Sequence, residues 1–211
     1  MTTPSNPRLL VLHGLRLQHV GNAAGVAEAI GVAEAEVKLM LDQLVSDDLA
    51  KYRTGRISGF MLTPAGRAEH LAQIAAEVDA TGVRTGVQAL YARFLGLNTE
   101  LLTVCTQWQL REINGQSVPN DHTDGAYDAS VIGRLVDLDG LAQPIATDLA
   151  ALLARFATYG PRLSFALAGV QDGETDLFTR PMVPSYHTVW FEWHEDLLVT
   201  LGIERGSEGA G

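Results

Sequence analysis

The chain has 211 residues and a formal net charge of -10; 46% of its residues are hydrophobic and 19% are charged. This composition is typical of a soluble globular protein that buries a core. No apolar run of about 18 residues is present, and the start MTTPSNPR lacks a signal-peptide pattern, so we expect a cytoplasmic protein without membrane association. The single cysteine, Cys105, excludes an internal disulfide and a cysteine-based zinc site.

Acidic charge is concentrated in the second part of the chain. Residues 1–82 carry 7 Lys or Arg against 9 Asp or Glu, a net charge of -2, whereas residues 83–211 carry 8 against 16, a net charge of -8. Two glycines interrupt a helical pattern at 79-DATGVRTG-86, which favours a domain junction there. The predicted segments are two domains, 7–82 and 83–203, and flexible tails at 1–6 and 204–211.

The first domain is predicted to begin with three helices, because apolar residues recur there three and four positions apart. These helices begin at Pro7, span 23–31 and span 33–48. Residues 49–54 and 57–62 then form two short strands around Gly55, which predicts a β-hairpin. Thr63 fits the cap of a fourth helix, with Pro64 at its first position, where a missing backbone N–H costs nothing.

The order of three helices, a hairpin and a helix is typical of a winged helix-turn-helix. The segment 49-LAKYRTGRISGFMLTPAGR-67 resembles the wing of MarR-like regulators, which often ends in a Leu-Thr-x-x-Gly run. The resemblance covers residues 7–80 and implies a DNA-binding fold. We therefore predict a mainly α protein, with an N-terminal winged helix-turn-helix that carries a small β-hairpin wing and with a C-terminal helical bundle.

Basic residues in and beside the wing are the candidate DNA contacts. In winged helices that bind DNA, the third helix enters the major groove while Lys and Arg bind phosphates. The candidates are Lys38 in the third helix and Lys51, Arg53, Arg56 and Arg67 around the hairpin. Glu34 and Glu36 lie beside Lys38, and carboxylates at that place oppose binding to phosphate. A solvated hairpin that contacts no DNA is the alternative interpretation.

The second domain has helical spacing along almost its whole length, which predicts a helical bundle. The predicted helices are 84–98, 99–113, 124–138, 141–159 and 184–202, with a shorter one near 161–171. The predicted N-caps are Thr99, Asp124 and Ser185, and the predicted stops are Gly160-Pro161 and Gly202.

The last helix is apolar on most sides yet carries His187 and His194, which we expect to point partly inward. One interpretation is a ligand pocket with tryptophan walls and polar handles. Its candidate residues are Trp108, Arg111, His122, Tyr186, His187, Trp190 and His194, with Trp193 also on the wall. The alternative is a structural network that fastens the loop 119–128 onto the last helix, since buried histidines need hydrogen-bond partners.

The sequence predicts no metal site, cofactor or catalytic centre. His187 and His194 lie seven positions apart, roughly 10 Å along a helix axis, which is too far to share an ion. Gly-x-Ser-x-Gly, phosphate-loop and Gly-x-Gly-x-x-Gly motifs are all absent from the sequence, so we do not expect an enzyme. Cys105 shares an apolar stripe with Leu101 and Trp108, and we expect it in the core.

Three segments, 94–111, 119–128 and 181–198, resemble a helical module found with a winged helix in bacterial proteins. Those proteins stand alone or accompany phosphoenolpyruvate-utilising enzymes of the pyruvate phosphate dikinase type. The resemblance implies a regulatory or adaptor role and no catalytic residue.

Two functions are therefore expected as alternatives. The first is a transcriptional regulator, acting as a homodimer, whose winged helix binds DNA while the bundle senses a small-molecule effector or dimerises. The second is a non-DNA-binding adaptor subunit of a phosphoenolpyruvate-utilising phosphotransferase system, in which the winged helix contacts a partner enzyme.

Overall fold

A computed structural model of the chain describes residues 4–204, and the predicted tails fall mostly outside this range. The described residues are mainly helical and contain two two-stranded antiparallel sheets. They form two compact units: the first contains residues 4–87, 150–158 and 192–204, and the second contains 88–149 and 159–191. Residues 83–203, which the sequence predicts as one domain, are divided between the two units.

The first unit begins with the elements that the sequence predicts for its N-terminal part. They are the helices α1 (Pro7–Gln18), α2 (Ala23–Ile30) and α3 (Glu34–Ser46), the strands β1 (Ala50–Arg53) and β2 (Gly59–Leu62), and the helix α4 (Pro64–Thr81). Apolar faces of these elements meet in a core in which Leu12, Val26 and Leu41 are fully buried. These bounds confirm the predicted three helices, the hairpin and the helix after it. Burial of the apolar faces away from water stabilises these elements.

The hairpin joins the rest of its unit through backbone pairing with Gly21. The Phe60 N–H donates to the Gly21 carbonyl at 2.8 Å, and the Gly21 N–H donates back to the Phe60 carbonyl at 3.0 Å. Within the hairpin, Tyr52 pairs with Phe60 and Arg53 pairs with Gly59. Because alternate residues of a strand face opposite sides, Lys51 and Arg53 share one face of the hairpin and Tyr52 lies on the other.

The base of the hairpin is closed by the segment that starts α4. The Thr63 hydroxyl donates to the Asp48 carbonyl at 2.7 Å and accepts the Gly66 N–H at 3.0 Å, so the predicted cap is confirmed. Pro64 follows at the first helical position. A Cβ at Gly66 would lie only 1.9 Å from the Leu49 carbonyl oxygen, so a residue without a side chain is required there.

The remaining elements are α5 (Arg84–Gln109), β3 (Leu110–Ile113), β4 (Gln116–Pro119), α6 (Gly125–Leu152), a 3-10 helix (Ala154–Thr158), α7 (Tyr159–Gln171), α8 (Asp176–Thr179) and α9 (Tyr186–Leu201). Most of these residues belong to the second unit. The first unit takes the 3-10 helix and, from the three longest of these helices, residues 84–87, 150–152 and 192–201.

Two predicted helix boundaries in this part are wrong at α5. The helix continues through Thr99, which is therefore not a cap, and it ends at Gln109. Residues 110–113 form strand β3, which pairs with β4 across the turn Asn114-Gly115. Both turn residues have positive φ, 52° and 76°, as a two-residue hairpin turn requires. An Asn-Gly pair is itself a strong hairpin signal, so this hairpin was visible in the sequence.

The predicted break between two helices near residue 140 is also wrong, since α6 is continuous and contains Pro144. Gly160-Pro161 lies in the first turn of α7 and does not end a helix. Proline is tolerated in a first turn because the N–H groups there have no partner within the helix.

The predicted caps at Asp124 and Ser185 are confirmed. The Tyr127 N–H donates to the Asp124 side chain at 3.1 Å, and the Thr188 N–H donates to the Ser185 hydroxyl at 3.2 Å. Gly202 follows α9 with a φ of 70°, in agreement with the predicted stop.

We expect Gly66→Ala to lower the free energy of unfolding by about 2 kcal/mol, because the added methyl group forces α4 away from the Leu49 carbonyl. Urea-induced unfolding measures this change. The matched control is Gly96→Ala in α5, where a Cβ would meet no atom within 4 Å. That variant should gain roughly 0.5–1 kcal/mol from the better helix propensity of alanine. Equal effects of the two substitutions would contradict the close approach at Gly66.

Candidate nucleic-acid interface

The β1–β2 hairpin and its flanks form a basic surface without acidic residues. Residues 49–67 contain Lys51, Arg53, Arg56 and Arg67 and no Asp or Glu, in a chain with 25 acidic residues. All four side chains belong to exposed residues. We call these four residues the hairpin cations.

None of the hairpin cations has an ion-pair partner among residues 4–204. Other described cations do form ion pairs, among them Arg8, Arg16, Lys38, Arg84, Arg93, Arg111, Arg134, Arg155 and Arg180. An unpaired, exposed cation keeps its full attraction for an external anion. The hairpin is therefore the local exception to the acidic character of the whole chain.

Helix α3 presents the opposite charge. Glu34, Glu36 and Asp42 are exposed on it, and its one cation, Lys38, is held by Glu34 at 2.6 Å. The N-cap of α3 is Ala33, which makes no side-chain capping bond. The carboxylates in the first turn compensate for this missing cap, because they stabilise the positive end of the helix dipole. They therefore have a structural role in α3.

Several candidate ligand residues of the second unit pack against other aromatic rings. Trp108 and His122 are together, with ring centroids 4.4 Å apart, and Trp108 also meets Phe178. Tyr186 stacks with Trp190 at 6.1 Å. The tryptophan rings are buried in these contacts, so they pack against protein side chains in the described residues.

Two other candidates serve local hydrogen bonding. Arg111 pairs with Asp124 at 2.7 Å and places its guanidinium 4.5 Å from the centre of the Tyr127 ring. His122 contacts the Asp128 carboxylate at 3.0 Å through Nδ1. These contacts fasten the loop 120–124 to β3 and α6.

The histidines of α9 belong to different units. His187 lies in the second unit and is half-buried, and this burial lowers its pKa below the ordinary value. His194 lies in the first unit and is buried. Cys105 is buried as expected, and burial raises the pKa of its thiol to about 12.

A chain of buried polar side chains in the first unit escaped the sequence analysis. His13 Nδ1 lies 3.0 Å from His70 Nε2, and His13 Nε2 lies 3.0 Å from an Asp196 carboxylate oxygen. Asp196 also pairs with Arg155, whose Nε donates to Glu77 at 2.9 Å. We call these five residues the buried network. The apolar patterns around His13 and His70 were the available signal, since a histidine on a core face needs a partner.

Burial and charge set the protonation of this network. Burial alone would raise the pKa of Asp196, but the charge of Arg155 and the bonds from His13 and Arg155 outweigh it and hold that pKa below its usual range. Burial, reinforced by His13, lowers the pKa of His70 to about 3. One proton lies between the two rings, and His70 Nδ1 is left without a partner among residues 4–204.

A groove of about 490 Å³ opens in the first unit beside the network. Its walls include Arg16, Leu71, Arg84, Leu198 and Thr200. Thr200 connects the groove to the network, because its hydroxyl accepts from Arg155 at 2.6 Å. Among the described residues that line this groove, none belongs to the predicted ligand set.

Within residues 4–204, no helix combines the length and apolar character needed to cross a bilayer. The same part of the chain holds no group of three or more His, Cys, Asp or Glu residues placed to bind a metal ion. Comparison of the chain with protein-family models, curated proteins and solved structures gives no match.

We expect the free energy of unfolding to fall by about 2 kcal/mol between pH 7 and pH 5 through His70 alone. The unfolded histidine takes up a proton near its ordinary pKa of 6.5, whereas the folded one stays neutral until about 3. The unfolded state therefore binds more protons in this window, and stability is lost as the pH falls through it. Urea unfolding at the two pH values measures the loss.

The control is His70→Gln, which keeps an N–H donor for His13 and cannot take up this proton. Between pH 7 and pH 5 the free energy of unfolding of this variant should fall by about 2 kcal/mol less than that of the unaltered protein. An unchanged pH dependence in the variant would mean that folding does not lower the pKa of His70.

We expect Arg155→Met to lower the free energy of unfolding by about 3–5 kcal/mol, because it leaves the buried Asp196 carboxylate without its cation. Chemical unfolding measures the loss. The matched control is Arg180→Met, which removes an exposed pair with Asp176 and should cost no more than about 1 kcal/mol. Comparable losses would show that the buried ion pair of Arg155 contributes no more to the free energy of unfolding than an exposed one.

Proposed function

We propose that the chain is a cytoplasmic transcriptional regulator that binds duplex DNA through a winged helix at residues 7–82. The order α1–α2–α3–β1–β2–α4 supports this assignment, as does the isolated antiparallel bridge between Gly21, which precedes α2, and Phe60 of β2. In this proposal the β1–β2 hairpin is the wing. The later helices serve as the effector-sensing or dimerisation part of a homodimer.

The observation that carries the proposal is the separation of charge at the hairpin. A protein of net charge -10 is repelled by DNA at long range, so binding needs a local surface where cations are free. The hairpin cations are exposed and lack ion-pair partners among residues 4–204. Each cation that binds a phosphate releases condensed counterions, and this release is favourable at low salt.

A second function, a protein-contact adaptor, is favoured by the surface of α3. Its acidic residues oppose phosphate, and Leu39 is 66% exposed in the middle of the helix. An exposed leucine bordered by carboxylates suits a partner protein better than a base edge. In this alternative the partner is a phosphoenolpyruvate-utilising enzyme.

The proposal predicts binding of a mixed-sequence duplex that weakens steeply between about 50 and 200 mM salt. Arg53→Ala/Arg56→Ala should weaken binding to every sequence, and it should reduce the slope of log K against log salt by about 1.8, since two phosphate contacts are lost. Fluorescence anisotropy of labelled duplex measures both quantities.

The control is Arg93→Ala/Arg180→Ala, which changes the net charge equally at two residues of the second unit that are not part of the hairpin. It should leave the slope unchanged. An equal loss in both double variants would show that net charge, and not the hairpin, governs binding. Absence of binding by the unaltered protein at the lowest salt would refute DNA binding and favour the adaptor.

A further inference from the structure

The exposed surface of α3 offers no free cation to DNA among the described residues. Lys38 is its one basic residue, and the Lys38 Nζ lies 2.6 Å from the Glu34 carboxylate. Glu36 and Asp42 add two exposed negative charges. A helix that enters the major groove runs between two rows of phosphates, where exposed carboxylates repel the like charge and weaken binding.

The chemistry of base recognition points the same way. The commonest specific contact in the major groove is a bidentate bond from Arg or Lys to guanine, and Asn or Gln reads adenine. The exposed residues in the first two turns of α3 are Glu34, Ala35, Glu36, Lys38 and Leu39. Carboxylates accept a hydrogen bond from the amino group of cytosine but repel the backbone phosphates, and alanine and leucine offer only apolar contact.

The hairpin has the opposite properties. Lys51 and Arg53 share one face of β1, opposite Met61 and Gly59. Arg56 lies in the turn, where Gly55 has open space around it. A narrow strand pair with arginines at its tip matches the minor groove, whose negative potential attracts inserted arginine and whose width depends on sequence.

We infer that this protein engages duplex DNA hairpin-first, with Arg53 and Arg56 at the minor groove and neighbouring phosphates and with α3 held outside the major groove. The inference rests on the proposed DNA-binding function and specifies its mode. Sequence preference then comes from groove width and DNA deformability, because the hairpin reads shape rather than a unique pattern of base donors and acceptors.

The test compares two lysines in the same anisotropy assay on a mixed-sequence duplex. Lys51→Ala on the hairpin should weaken binding about eightfold at about 0.1 M salt and lower the salt slope by about 0.9. Lys38→Ala on α3 should leave both quantities unchanged. Each variant loses one positive charge, so the net charge of the protein is matched. Circular dichroism of both variants checks that the helices persist.

A competition experiment identifies the groove. Netropsin, which occupies the minor groove, should displace the protein from an A·T-rich duplex, whereas methyl green, which occupies the major groove, should not. Displacement by methyl green, or weakening by Lys38→Ala as large as that by Lys51→Ala, would overturn the hairpin-first mode while leaving DNA binding intact. If the unaltered protein binds no duplex even at low salt, the proposed function itself fails.

Discussion

The carboxylate of Asp196 is the point on which the first unit depends. It sits fully buried on α9 and contacts His13 of α1 and Arg155 of the 3-10 helix. A buried carboxylate is stable only when cations and donors surround it, and Arg155 extends the arrangement to Glu77 on α4. Segments from the start, middle and end of the chain must therefore assemble together, because each one supplies hydrogen-bond or ion-pair partners to another.

Burial of the network removes its charged groups from water, which costs free energy. A salt bridge out of water is not a large net source of stability, but losing one partner leaves an uncompensated charge. His70 closes the series at 0% exposure and is kept neutral by burial. The α1–α4 pairing thus carries both an apolar core and the buried contact between His13 and His70. The hairpin projects from a base that is stabilised in this way.

The local arrangement of charged residues in this protein differs from its acidic net charge. Most described cations are tied to carboxylates, while the hairpin cations are exposed in a stretch without acids. Helix α3, next to the hairpin in the chain, is acidic and has its lysine neutralised. Any partner of this surface therefore meets two patches of opposite sign. This contrast is the basis for proposing that DNA and α3 stay apart.

Local pattern was sufficient for the elements up to α4, because Thr63, Pro64 and the alternation in the hairpin act within a few residues of one another. It was also sufficient for the β3–β4 hairpin, whose Asn114-Gly115 turn was overlooked. Tertiary structure alone decided which residues belong to the first unit and that Gly66 must lack a side chain beside Leu49. It alone brought His13, His70 and Asp196 together. Periodicity shows which face of an element is buried, but partners distant in sequence are chosen only when the faces meet.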